Sequence, residues 1–71
     1  MDINKLKSKM ILNGDNGKKL ADYLGISRTT LSAKMNETNA EFTQTEIMKI
    51  KEKYLLTGDE IDEIFFNFKV S

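Results

Sequence analysis

The sequence predicts an all-α fold, five short helices packed as a single domain over residues 1–71. Three observations predict it. No proline interrupts the 71 residues. Apolar residues recur in steps of three and four, and no stretch alternates apolar and polar for long. Five stretches each open on a residue suited to accept the free amides of a first helical turn.

The first helix, near 2–12, starts at Asp2, with Met1 and Leu6 placed to clasp across the cap as a hydrophobic staple, and Ile3, Leu6 and Met10 forming its apolar stripe. Asn13-Gly14-Asp15 breaks it. The second, near 17–24, opens at Asn16 without a staple and carries Leu20, Ala21 and Leu24. Gly25 ends it, because glycine tolerates the positive φ of a helix terminus. The third, near 28–36, is capped by Ser27 with Ile26 and Leu31 as its staple. A longer loop, residues 36–42, leads to the fourth, near 44–55. There Thr43 and Glu46 form a capping box, Phe42 and Ile47 a staple, and Ile47, Ile50 and Tyr54 the buried face. The fifth, near 58–67, repeats the box with Thr57 and Glu60 and the staple with Leu56 and Ile61. Helices this short are marginal alone, below roughly 12–15 residues, so they must share a core. The expected core is Ile3, Leu6, Met10, Leu20, Ala21, Leu24, Ile26, Leu31, Met35, Phe42, Ile47, Ile50, Tyr54, Leu56, Ile61, Ile64 and Phe65.

Composition narrows the function. Cysteine and histidine are absent, which removes thiol nucleophiles, thiolate metal sites and the commonest general base together. No enzyme, metal or cofactor is expected. No apolar run approaches the roughly 18 residues of a membrane span, and Met1-Asp2-Ile3-Asn4 has no signal-peptide character, so a cytoplasmic protein with no membrane partner is expected. Net charge is zero, yet residues 1–40 carry a net +3 and residues 41–71 a net −3. That asymmetry fits one surface for a polyanion and another for something else; scatter in small counts fits it equally.

Residues 17–36 read GKKLADYLGISRTTLSAKMN. Ala21 is small enough for a following helix to approach, Gly25 ends the first helix of the pair, Ile26 plugs the turn and Ser27 caps the second. The pattern is that of two helices crossing over a tight turn. It leaves Arg28, Thr29, Ser32 and Ala33 on the outer face of the second helix, which suits a DNA major groove. Arg28 offers a fork for guanine O6 and N7, Thr29 and Ser32 donate or accept, and Ala33 suits a thymine methyl. Around them Asn16, Gly17, Lys18, Thr30, Lys34, Asn36 and Asn39 are candidate phosphate contacts, which set orientation while base contacts set sequence.

Asn16, Leu20-Ala21, Gly25-Ile26-Ser27 and Leu31 make this stretch resemble the helix-turn-helix of lambda-repressor-like regulators of the XRE, Cro/CI type. The resemblance extends over nearly all the chain, since that family packs five helices with the second and third forming the motif. The tail FTQTEIMKIKEKYLLTGDEIDEIFF looks more specifically like small Cro-like proteins of phages and prophages of low-GC Gram-positive bacteria. The resemblance implies a sequence-specific transcriptional regulator, a prophage Cro-like repressor that binds a double-stranded operator as a homodimer, weak or monomeric when free. Lys34 departs from the motif, standing where an apolar residue is usual; Met35 is then expected in the core, with the Lys34 stem on the surface and its ammonium toward a phosphate.

Phe66, Phe68 and Val70 cannot all share one stripe with Ile61, Ile64 and Phe65. Either the tail folds back onto the core or it forms a dimer surface. The rival to DNA binding is a protein-interaction module on the same fold, such as an antitoxin or anti-repressor partner. In that reading, the acidic last helices and the aromatic tail do the binding.

Overall fold

The computed structural model describes residues 1–66. It contains α1 (Ile3–Leu12), α2 (Gly17–Leu24), α3 (Arg28–Met35), α4 (Gln44–Tyr54) and α5 (Gly58–Phe65), with no strand among the described residues. The all-α, five-helix fold read from the sequence is the fold observed.

Every expected N-cap is in place. Asp2 Oδ1 accepts from the Lys5 amide at 3.1 Å and Asn16 Oδ1 from Lys19 at 2.9 Å. Ser27 Oγ accepts from Thr30 at 3.0 Å. Both capping boxes close: Thr43 and Glu46 exchange bonds at 2.9 and 3.1 Å, Thr57 and Glu60 at 3.0 and 3.2 Å. Each box satisfies two amides that no helical carbonyl can reach.

The C-termini follow one rule as well. α1 to α4 all close through a six-to-one backbone bond around a residue of positive φ, the Schellman arrangement. The bonds run from Asp15 N–H to the Met10 carbonyl (2.8 Å), Ile26 to Ala21 (3.0 Å), Thr38 to Ala33 (2.9 Å) and Leu56 to Lys51 (2.9 Å). The pivots are Gly14 (φ 69°), Gly25 (φ 74°), Glu37 (φ 54°) and Leu55 (φ 53°). The two glycines are the expected breakers; Glu37 and Leu55 are not. α4 therefore stops one residue short of the expected 55, with Leu55 bent out and exposed. Phe66 has already left helical geometry, at φ −120° and ψ 18°, so α5 ends before the expected 67.

Each helix sends one side chain to full burial at the centre: Leu6, Leu20, Leu31, Ile50 and Ile64. Met10, Ala21, Leu24, Tyr54, Leu56 and Ile61 complete the buried cluster, and all eleven were expected. Ile26, Met35, Phe42, Ile47 and Phe65 are half-buried against it, with Phe42 and Phe65 edge to face at 5.5 Å. Ile3 is the exception. It stays outside that cluster because its side chain lines a surface groove against α3.

Polar ties fix the periphery. The Asp2 amide donates to the Ile64 carbonyl at 2.8 Å, joining the start of α1 to α5. Lys5 pairs with Glu63 and Lys9 with Glu60 across the same two helices. Tyr54 Oη donates to Asp15 Oδ2 at 2.8 Å, which ties the end of α4 to the turn between α1 and α2. Burial first, then this bond and the Asp15 charge, hold the phenol above its ordinary range. Among the described residues no helix is long and apolar enough to cross a membrane.

Candidate nucleic-acid interface

Among the described residues, α2 and α3 share the most extensive contact between helices. The turn between them is set by Gly25, whose left-handed φ closes α2, and by Ser27, which caps α3. Ile26 is drawn inward and Leu31 is buried, so α3 is pinned along one edge and bare along the other.

The bare edge carries the residues expected to read bases. Arg28, Thr29 and Ser32 are exposed and Ala33 half-exposed. All four line one shallow depression of about 570 Å³, together with Asn36 and Thr38. Asn36 Nδ2 donates to the Ser32 carbonyl at 3.0 Å and to Ser32 Oγ at 3.3 Å. This holds two polar groups of the face in register and leaves the Asn36 carbonyl oxygen free to accept. Asn36 therefore stands in the row with the base-reading candidates, one helical turn past Ser32.

The candidate phosphate contacts divide into three groups. Asn16, Gly17 and Lys18 sit at the start of α2, directly beside Arg28: a Cβ on Gly17 would lie 3.8 Å from Arg28 Nε. Asn16 Oδ1 is taken by Lys19, while the Gly17 and Lys18 amides have no intrahelical acceptor. Lys18 and Asn39 are exposed, Asn39 in left-handed backbone within the loop after α3. Thr30 flanks the face, and its hydroxyl accepts from Ser27 Oγ at 2.9 Å, sharing in the cap. Lys34 stands apart. Its ammonium is turned toward α4, 2.5 Å from Glu46 Oε1. Met35 takes the half-buried slot beside it, as expected.

Of the residues named for a dimer surface, Phe66 is 48% exposed, while Phe68 and Val70 lie outside the described residues. The acidic side of α5 is partly neutralised from within, because Glu60 and Glu63 are occupied by Lys9 and Lys5.

Two residues join the interface that the sequence pattern did not single out. Thr38 borders the depression. Lys7 lines a groove of about 410 Å³ shared by Arg28, Asn16, Gly17 and Ser32. Ile3, Lys7 and Ile11 follow at steps of four, so the face of α1 turned toward α3 is written in its spacing.

Small exposed hydroxyls, a guanidinium and a helix start meet along the solvent edge of α3. A single helix edge is narrow enough for a major groove, which is about 12 Å across. The family model described as the Mga helix-turn-helix domain matches residues 5–69. No curated protein and no solved structure matches the chain.

Proposed function

The chain belongs to the family of the Mga helix-turn-helix domain and is a DNA-binding helix-turn-helix domain; from that premise we propose that it is a sequence-specific transcriptional regulator that lays α3 in the major groove of a double-stranded operator. The observation that carries this reading is the shared depression of Arg28, Thr29, Ser32 and Ala33 on the bare edge of α3. Arg28 reads a guanine, Thr29 and Ser32 read neighbouring edges, and Ala33 packs on a methyl group. The amides of Gly17 and Lys18, with Lys18 Nζ, hold the backbone alongside. Repression follows from occupancy of the operator, and no catalytic step is assigned to a chain without histidine or cysteine.

A small prophage repressor of Cro-like type is the narrower form of this proposal. It is supported by Asn16, Leu20-Ala21, Gly25-Ile26-Ser27 and Leu31 in the motif and by the likeness of the tail. On a palindromic operator, two copies would set their α3 helices about 34 Å apart.

Selection from a pool of randomised duplexes tests the proposal. We expect a short motif to be enriched, and Arg28→Ala to relax selection at one base pair, a loss of about 1–3 kcal/mol there. A recovered pool no different from the starting pool would exclude sequence-specific reading.

A further inference from the structure

Lys34 occupies the side of α3 opposite the bare edge. At about 100° per residue, Arg28, Ser32, Asn36, Thr29 and Ala33 share one arc, and Lys34 lies roughly 170° from its centre. Its ammonium meets Glu46 Oε1 at 2.5 Å, and the two side chains are 13% and 11% exposed. That carboxylate oxygen is itself held, because it accepts the Thr43 amide at 2.9 Å. The Glu46 amide in turn donates to Thr43 Oγ1 at 3.1 Å. The acceptor thus belongs to the capped first turn of α4, and it grips the last turn of α3.

Besides this grip, among the described residues the end of α3 is tied to another element only through an exposed glutamate, where Glu37 meets the Met1 amino group at 3.4 Å; its other bonds, Thr38 to Ala33 and Asn36 to Ser32, are local. Its start is fixed by the Ser27 cap, by buried Leu31 and by neighbouring α2. Its end runs through Asn36 and left-handed Glu37 into a loop, with Met35 only half-buried. Rotation about the Leu31 anchor would change which base edges Arg28 and Ser32 reach together.

We propose that Lys34 is a positioning residue: its ion pair with Glu46 sets the angle at which α3 enters the major groove, and its ammonium contacts no phosphate. This deepens the major-groove reading and rests on it. Removing either partner strands the other charge in a nearly closed place and frees the end of α3. A lysine that neutralises a phosphate releases a counterion and adds to the salt dependence of binding, whereas a positioning lysine does not.

The test uses the whole chain with Lys34→Gln, Glu46→Gln, the double variant, and Lys34→Arg as the conservative replacement. Each is titrated by anisotropy against a labelled duplex of about 20 base pairs recovered by the selection. Salt runs from roughly 50 to 200 mM, at a temperature where circular dichroism shows the variant fully folded. We expect each Gln variant to bind about 3- to 30-fold more weakly, the double variant to be no weaker than the weaker single, and Lys34→Arg to retain affinity. The salt slope should match the wild type throughout. A slope reduced by about one in Lys34→Gln, with Glu46→Gln near wild type, would make Lys34 a phosphate contact and overturn the proposal. Unchanged affinity in both Gln variants would overturn it too. Amide hydrogen exchange on the free chain judges the clamp separately: residues 33–36 should exchange faster in both Gln variants, and unchanged rates defeat the proposal. A wild-type chain that binds no duplex defeats the major-groove reading instead.

Discussion

Leu55 spends conformational free energy without a visible return. It sits in left-handed backbone, φ 53° and ψ 46°, where a branched side chain is disfavoured by roughly 1–2 kcal/mol, and it is 86% exposed, so its side chain packs on little. Glycine at that position keeps the six-to-one bond from Leu56 to Lys51 and relieves the crowding, at some cost in unfolded-state entropy. Leu55→Gly should therefore stabilise the domain by about 0.5–1 kcal/mol, a rise in melting temperature of about 2–8 °C for a chain this size. Thermal unfolding followed by circular dichroism decides it, and a lower melting temperature would show that the leucine makes a contact worth more than its strain. The same residue shows why helix ends were harder to read than helix starts. An N-cap is written locally, as Asp, Asn, Ser or Thr whose side-chain oxygen accepts the amide three residues on, and all five are legible. A C-terminus on Gly14 or Gly25 was legible for the same reason. Glu37 and Leu55 carry no local mark, since neither is a glycine or an asparagine.

Between elements, α1 and α5 are joined by two ion pairs as well as by apolar contact, which makes the junction sensitive to acid. The hydrogen bond from Lys9, then that from the Thr57 amide, hold the Glu60 carboxyl at about 2, against an ordinary 4.5. Burial raises the Glu46 carboxyl, but the Lys34 and Thr43 hydrogen bonds and the Lys34 charge outweigh it, so its net position is also below the ordinary value. A carboxylate lowered on folding stabilises the native state above its unfolded value, and that contribution disappears as pH falls through the folded one. Stability should thus hold near neutrality and fall progressively from about pH 4.5 toward about pH 2. Urea midpoints across that window measure the fall, and Glu60→Gln should start lower and decline less steeply. A variant that declines as steeply as the wild type would remove Glu60 from the explanation. The exposed face of α3 could be read from sequence because period and burial agree at Leu31. The Lys34–Glu46 pair could not, because its partners are twelve residues apart and meet only once α3 and α4 have docked.

Over the whole molecule the charge asymmetry of the sequence largely cancels inside the fold. Seven cations stand in residues 1–40. Lys5, Lys9 and Lys34 are committed to Glu63, Glu60 and Glu46, and Lys19 Nζ donates to the Gly14 carbonyl at 3.3 Å. Among the described residues, Lys7, Lys18 and Arg28 remain around α3, all at or beside the groove between α1, α2 and α3. Counting residues would assign DNA an attraction from seven charges, but the fold leaves about four, since a hydrogen bond to the Gly14 carbonyl does not neutralise Lys19. Since the log–log salt slope is about −0.9 per phosphate neutralised, each bound copy should show a slope between about −3 and −4 instead of about −6. Two copies on one operator would double that value, so the slope alone does not separate the cases, and substitution does. Lys18→Ala should make the slope shallower by about one per copy, whereas Lys5→Ala and Lys9→Ala, which lose only intramolecular partners, should leave it unchanged. Titrations in increasing salt read both numbers. A slope that falls equally for Lys5→Ala and Lys18→Ala would mean that the α1–α5 ion pairs open on DNA, and that the free chain's charge pairing is not the one that binds.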